Sequence, residues 1–203
     1  MTDTTKTPDP ITEGTTFENA LRAVSPHLAK NTDVPVLTGV NMVGDRLYAT
    51  DRYTMGVARF NESPATAENE LWLSPQLIRL ILAHKDDPLI ELLPYGGNRM
   101  RAEFESGIIY DLPVSGHKDI VVGKFPNLKQ ITEGWVPAES GRLNFNGEFT
   151  KKFSNTHIKG DPRAPLAFEP GKSSDSPTQN PVFRVRRTGL DWFVGYVVEI
   201  RVS

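Results

Sequence analysis

Nucleophiles, metal ligands and acid–base pairs are thin on this chain. It has no cysteine, which removes disulfides, zinc ribbons and thiol catalysis together. Its four histidines, His27, His84, His117 and His157, are scattered without metal-ligand spacing. No Gly-x-Ser-x-Gly, Walker loop or dinucleotide fingerprint occurs. Gly96-Gly97 reads as a hairpin turn, and Asp45, Asp86 and Asp87 read as turn residues before catalytic carboxylates. The expectation is a protein that is not an enzyme and takes no cofactor or metal. One constellation stands out, the polar knot Thr50-Asp51-Arg52-Tyr53-Thr54 between two strand-forming runs. Its hydroxyls, guanidinium and ring suit recognition, where a few polar groups fix a ligand's direction. It also suits a hairpin turn with Asp51 capping the backbone and Tyr53 half-buried, and both readings stay open.

The elements around the knot follow from composition and pattern. With 203 residues, 38% hydrophobic, 24% charged and a net charge of −2, the chain can bury a proper core. No apolar run approaches the ~18–20 residues that span a bilayer. The first fourteen residues are polar with two prolines and no apolar h-region, so they read as a tail and the cytoplasm as the compartment.

One unit recurs three times. In residues 71–113 a short strand, LWL, precedes Ser74-Pro75, a strong helix start. The helix carries Leu77, Ile78, Ile81 and Leu82 on one face. Three strands follow: PLIELLPY, RMRAEFE and IIYDLPV. Upstream, Thr15-Thr16-Phe17-Glu18 has capping-box spacing and opens a helix over 17–30, in which Pro26 implies a kink or early end. Strands VPVLTGVNMV, RLYAT and TMGVARF come next. Downstream, LNFN leads into a helix over 147–159 with Asn146 as cap, then APLAFEP, PVFRVRR and DWFVGYVVEIRV. Single helices alternating with runs of three strands do not build a parallel sheet. The fold class expected is α+β, antiparallel sheets with helices on one face. GWVPAESG (134–141) reads as a linker and EPGKSSDSPTQNP (169–181) as a mobile loop. The expected organisation is a tail (1–14), a complete two-unit domain (15–135) and a half domain (136–203).

On this repeat sit four short motifs in order: Leu37-Thr38-Gly39, Ala49-Thr50-Asp51-Arg52-Tyr53, Lys124-Phe125-Pro126-Asn127-Leu128, and the terminal Tyr196-Val197-Val198 strand. Together they resemble the bacterial DNA sliding clamp, the processivity subunit of the replicative polymerase, over residues 15 to 203. The resemblance implies the DNA-clamp fold, reduced from three two-unit domains to one domain and a half. It implies a role in DNA replication through a groove that captures short linear peptides, glutamine plus aliphatic and aromatic residues, from DNA polymerases and other replication and repair proteins. The groove positions it implies are Leu37, Thr50, Arg52, Tyr53, Thr54, Met55, Pro126, Gln130, Ile131, Val197, Glu199, Ile200, Arg201 and Val202. Glu199 stands where the family usually has an apolar residue, and Ile200 replaces a common proline.

Clamps touch DNA phosphates with basic helices and do not read sequence. The helix cations here are Arg22, Lys30, Arg79, Lys85, Lys151, Lys152 and Lys159 against Glu18 and Glu148. Positive helices on an acidic chain suit double-stranded DNA, although cations near helix C-termini also answer the macrodipole. Homo-oligomerisation is expected if a ring closes. The alternative is a non-catalytic oligomerisation or decoy module that does not encircle DNA, a trimming that would suit a compact genome such as a phage's.

Overall fold

The computed structural model describes residues 9–30, 33–64, 70–95, 99–113, 124–138, 146–154, 164–173 and 182–198. Helix α1 (Phe17–Val24) starts where Thr16 Oγ1 accepts from the Asn19 amide. It ends before Pro26, which lies in a short 3-10 turn, Ser25–His27, so the helix expected to residue 30 stops six residues earlier. A second 3-10 turn, Pro35–Thr38, replaces the start of the expected strand, because Pro35 cannot donate to a ladder. Strands β1 (Val40–Val43), β2 (Arg46–Thr50), β3 (Thr54–Arg59) and β4 (Leu71–Leu73) follow. Helix α2 (Pro75–Ala83) is capped by Ser74 Oγ on the Leu77 amide at 3.2 Å. Then come β5 (Leu89–Tyr95), β6 (Arg99–Phe104) and β7 (Ile109–Pro113). Residues 124–137 hold helix α3 (Leu128–Glu133) and β8 (Trp135–Pro137). Helix α4 (Glu148–Ser154) opens with Asn146 Oδ1 accepting from the Glu148 amide. Strands β9 (Leu166–Glu169), β10 (Gly171–Ser173), β11 (Val182–Arg187) and β12 (Phe193–Val198) complete the described chain.

Every strand pair is antiparallel. Seven strands form one sheet in the order β4-β1-β2-β3-β12-β11-β9, with β5-β6-β7 and β10-β8 as smaller sheets. The large sheet joins the first and last thirds of the chain through the β3–β12 ladder, Thr54 opposite Val197 and Gly56 opposite Gly195. Alternation sends its two faces into two cores. On one face Leu47, Ala49, Phe193 and Val197 pack with α1, α2 and Phe153 of α4. On the other, Tyr48, Met55, Val57, Val194 and Tyr196 pack under Ile11, Phe125, Leu128 and Trp135. Helices α1, α2 and α4 thus share the expected face, and the short α3, not foreseen from the sequence, covers the opposite one.

Two expected loops contain structure. Trp135, in the supposed linker, is only 1% exposed. Its Nε1 donates to Val182 O at 2.9 Å, and the Arg184 guanidinium sits 4.0 Å from the ring centroid. An indole of that size is buried at the first opportunity, and here it drags β8 onto β10, the start of the supposed mobile loop. Residues 139–141 and 174–181 lie outside the described residues, as do 143–145 of the expected LNFN strand and 155–159 of the expected third helix.

Candidate functional site

The knot is the turn between β2 and β3, and its polar groups are spent in a defined way. Asp51 Oδ1 accepts from the amides of Tyr53 (3.1 Å) and Thr54 (2.7 Å) and from the Thr54 hydroxyl (2.9 Å). Thr50 Oγ1 donates to Thr54 O at 2.8 Å and accepts from the Arg52 amide at 3.1 Å. These bonds hold Arg52 at φ 82°, the left-handed region, which among the described residues no other non-glycine occupies. The turn therefore seats Asp51 inward and presents Arg52 and Tyr53 outward, with Tyr53 52% exposed. The hairpin-turn reading describes this geometry, with Asp51 capping the backbone, and the outward Arg52 and Tyr53 are the groups the recognition reading would use.

Outside the turn lies a cleft of about 190 Å³. Its floor is the sheet face at Met55, Val182 and Tyr196; one wall is Leu37 on the second 3-10 turn, the other is Pro126, Leu128 and Ile131 around α3. Thr50, Arg52, Tyr53 and Thr54 form the rim. The arrangement is apolar inside and polar at the edge, which suits a short aliphatic or aromatic side chain whose backbone is oriented by the rim. The Arg52 guanidinium makes no hydrogen bond or ion pair among the described residues. Arg52, Tyr53 and Leu37 also border a wider cleft of about 640 Å³ that reaches Lys30, Phe149 and Lys151.

Of the fourteen groove residues named from the sequence, Leu37, Thr50, Arg52, Tyr53, Thr54, Met55, Pro126 and Ile131 line this cleft. Gln130 is exposed on α3 and does not line it. Val197 points away: it is fully buried in the helix-covered core, because alternation along β12 gives the cleft to Tyr196 instead. Glu199, Ile200, Arg201 and Val202 lie outside the described residues. Leu128, Val182 and Tyr196 were missed, and the two-residue period of β12 counted from Val194 would have found Tyr196.

Beneath the knot runs a chain of polar contacts. Lys152 of α4 bonds Asp51 Oδ2, the two side chains only 20% and 15% exposed. Burial pushes the Asp51 carboxyl up, but the Lys152 ammonium and the Thr54 amide and hydroxyl outweigh it and hold it below its usual value. The Thr54 hydroxyl spends its one proton on that carboxylate, so the His27 Nδ1–H is the donor in the 3.1 Å contact between His27 and Thr54 Oγ1. His27 Nε2 is then an unprotonated acceptor, buried without a partner among the described residues. Burial first, and the nearby Lys152 charge second, pull His27 down to about 3, Asp51 acting the other way.

The proposed DNA-facing cations divide. Lys30, Arg79 and Lys85 are exposed. Arg22 donates to Leu82 O at 3.3 Å, and Lys151 pairs with Glu148 at 2.8 Å. Lys152 is turned inward onto Asp51, a correction to its placement on an open basic face; Lys159 lies outside the described residues. Among the described residues no cluster of His, Cys, Asp or Glu could hold a metal, and no helix is long and apolar enough to cross a membrane.

The joined antiparallel sheets with α1, α2 and α4 on one face define the DNA sliding-clamp fold. Solved structures with this fold include the DNA polymerase III beta subunit of Thermotoga maritima, at a TM-score of 0.57 and 15% identity over 99% of this chain and 69% of that one. They include the DnaN sliding clamp of Pseudomonas aeruginosa bound to griselimycin, at 0.56 and 14% over 100% and 68%. A beta clamp of H. pylori in complex with diflunisal matches at 0.57 and 12% over 95% and 66%. The chain thus spans 66–69% of the length of these three clamps. No protein-family model and no curated protein sequence matches it.

Proposed function

We propose that this chain is a non-catalytic, clamp-like protein of DNA replication, at work in the cytoplasm, that captures short linear peptides of DNA polymerases or other clamp partners. One observation supports this most directly. Eight side chains selected by resemblance, drawn from three separate segments, converge on one cleft with apolar walls and a polar rim. The cleft accepts one aliphatic or aromatic residue, and the Arg52 guanidinium orients the backbone that carries it, the Thr50 and Thr54 hydroxyls being spent within the turn. A five-residue peptide of glutamine, leucines and phenylalanine should bind with a micromolar Kd, about −8 kcal/mol. Titration calorimetry without heat at millimolar peptide would remove the reading.

Holding double-stranded DNA, and homo-oligomerisation into a ring, belong to the same reading and rest on Lys30, Arg79 and Lys85. A second reading, a decoy or oligomerisation module that holds no DNA, is favoured by the pairing of Lys151 and Lys152 with Glu148 and Asp51. Light scattering separates a monomer, which excludes a ring, from a larger assembly.

A further inference from the structure

The face of α4 formed by Phe149, Lys152 and Phe153 is spent entirely on the joint. Phe149 stacks on Tyr53, ring centroids 5.9 Å apart at 18°. Lys152 neutralises Asp51. Phe153, fully buried, packs 4.8 Å from the His27 ring. Both rings pack against the β3–β12 ladder where the facing pair Gly56 and Gly195 carries no side chain. A Cβ at Gly56 would come within 2.5 Å of His27 and one at Gly195 within 2.1 Å of Phe153. Residues three and four apart share one helix face, so a single face of α4 grips the knot, the turn after α1 and the ladder together.

We propose that Lys152 is a positioning residue for the cleft: by neutralising Asp51 it holds the rim, Arg52 and Tyr53, in its ligand-facing form. The idea rests on the peptide-groove reading above. Asp51 can stay inward only with its charge answered, because an uncompensated buried carboxylate is strongly unfavourable. With Asp51 inward, its Oδ1 holds the amides of Tyr53 and Thr54, and the left-handed Arg52 between Asp51 and Tyr53 is sustained. Take the ammonium away and Asp51 swings to solvent, Arg52 relaxes, and the rim loses its shape while both cores remain. The partner-binding surface on the first unit is thereby set by a helix of the third, so a partner's tail senses whether α4 is seated.

The test compares Lys152→Met, Lys152→Arg and wild type in the full chain, with the same five-residue peptide as probe. Calorimetry gives the affinity, and amide exchange by NMR gives the protection of Tyr53 and Thr54. Lys152→Met should weaken the peptide about tenfold and speed those two amides by a similar factor, with core amides unchanged. Lys152→Arg, which keeps the charge, should restore both to within about threefold. In an Asp51→Asn background, where no charge needs answering, the change at 152 should alter affinity by less than about twofold. That background also serves if Lys152→Met alone fails to fold. Unchanged affinity or unchanged amide protection in Lys152→Met overturns the role of Lys152 and leaves the groove standing, and so does an arginine variant as defective as the methionine one. A wild-type protein that takes no peptide overturns both.

Discussion

Tyr196 and Val197, neighbours in β12, stand on opposite faces of the seven-stranded sheet: the Tyr196 ring floors the cleft and Val197 is sealed among the helices. Exchanging their effects should therefore be impossible. Val197→Ala should cost about 2 kcal/mol of stability, read by denaturant titration, and leave peptide affinity intact.

Tyr196 offers a sharper case, because its hydroxyl is buried without a hydrogen-bond partner among the described residues. Burial drives its pKa well above the usual range, so it stays protonated. Tyr196→Phe removes an unsatisfied group and should be neutral or stabilising by about 1 kcal/mol, visible as a higher denaturation midpoint.

Ile131 is the cleft wall least committed to a core, since it is only partly buried. Ile131→Asp should weaken the peptide by about a hundredfold, because a carboxylate would sit where an apolar side chain lands. The Tm should move by no more than about 2 °C. Equal affinities in calorimetry would place the peptide elsewhere.

His27 gives the molecule an acid limb. Its folded pKa lies below its unfolded one, so the unfolded chain takes the extra proton and stability falls as pH drops from about 6.5 toward 3. The expected slope is about 1.4 kcal/mol per pH unit. Asp51, held below its usual value, adds a loss that begins only near pH 4. Denaturant titrations of His27→Leu should show a lower stability at pH 8 but a flat profile between pH 6.5 and 4.5.

Any affinity for DNA should be blind to sequence and collapse between about 50 and 200 mM salt. Arg79→Ala should reduce the salt slope by about one, whereas Lys152→Met should leave it unchanged, its charge being spent on Asp51. Fluorescence anisotropy with two unrelated duplexes decides both points.

Local chemistry made much of this legible. Thr16 and Ser74-Pro75 announce α1 and α2 because capping is a contact between near neighbours. The alternating runs of β5, β6 and β11 show as strands for a similar reason. What stayed hidden depends on distant partners. Trp135 looked like part of a linker because Val182, whose carbonyl holds its indole, lies 47 residues away. Lys152 looked like an open cation because Asp51 lies 101 residues upstream. The groove residues came through as motifs, yet Val197 was assigned to the wrong face, since a motif gives a position and only pairing with β3 gives the side.

Because β3 and β12 share one hydrogen-bonded ladder, the notch has no hinge line running through it. Under the proposed reading, a peptide tail would rest on a floor that is one continuous plate, whatever the walls at Leu37 and α3 do.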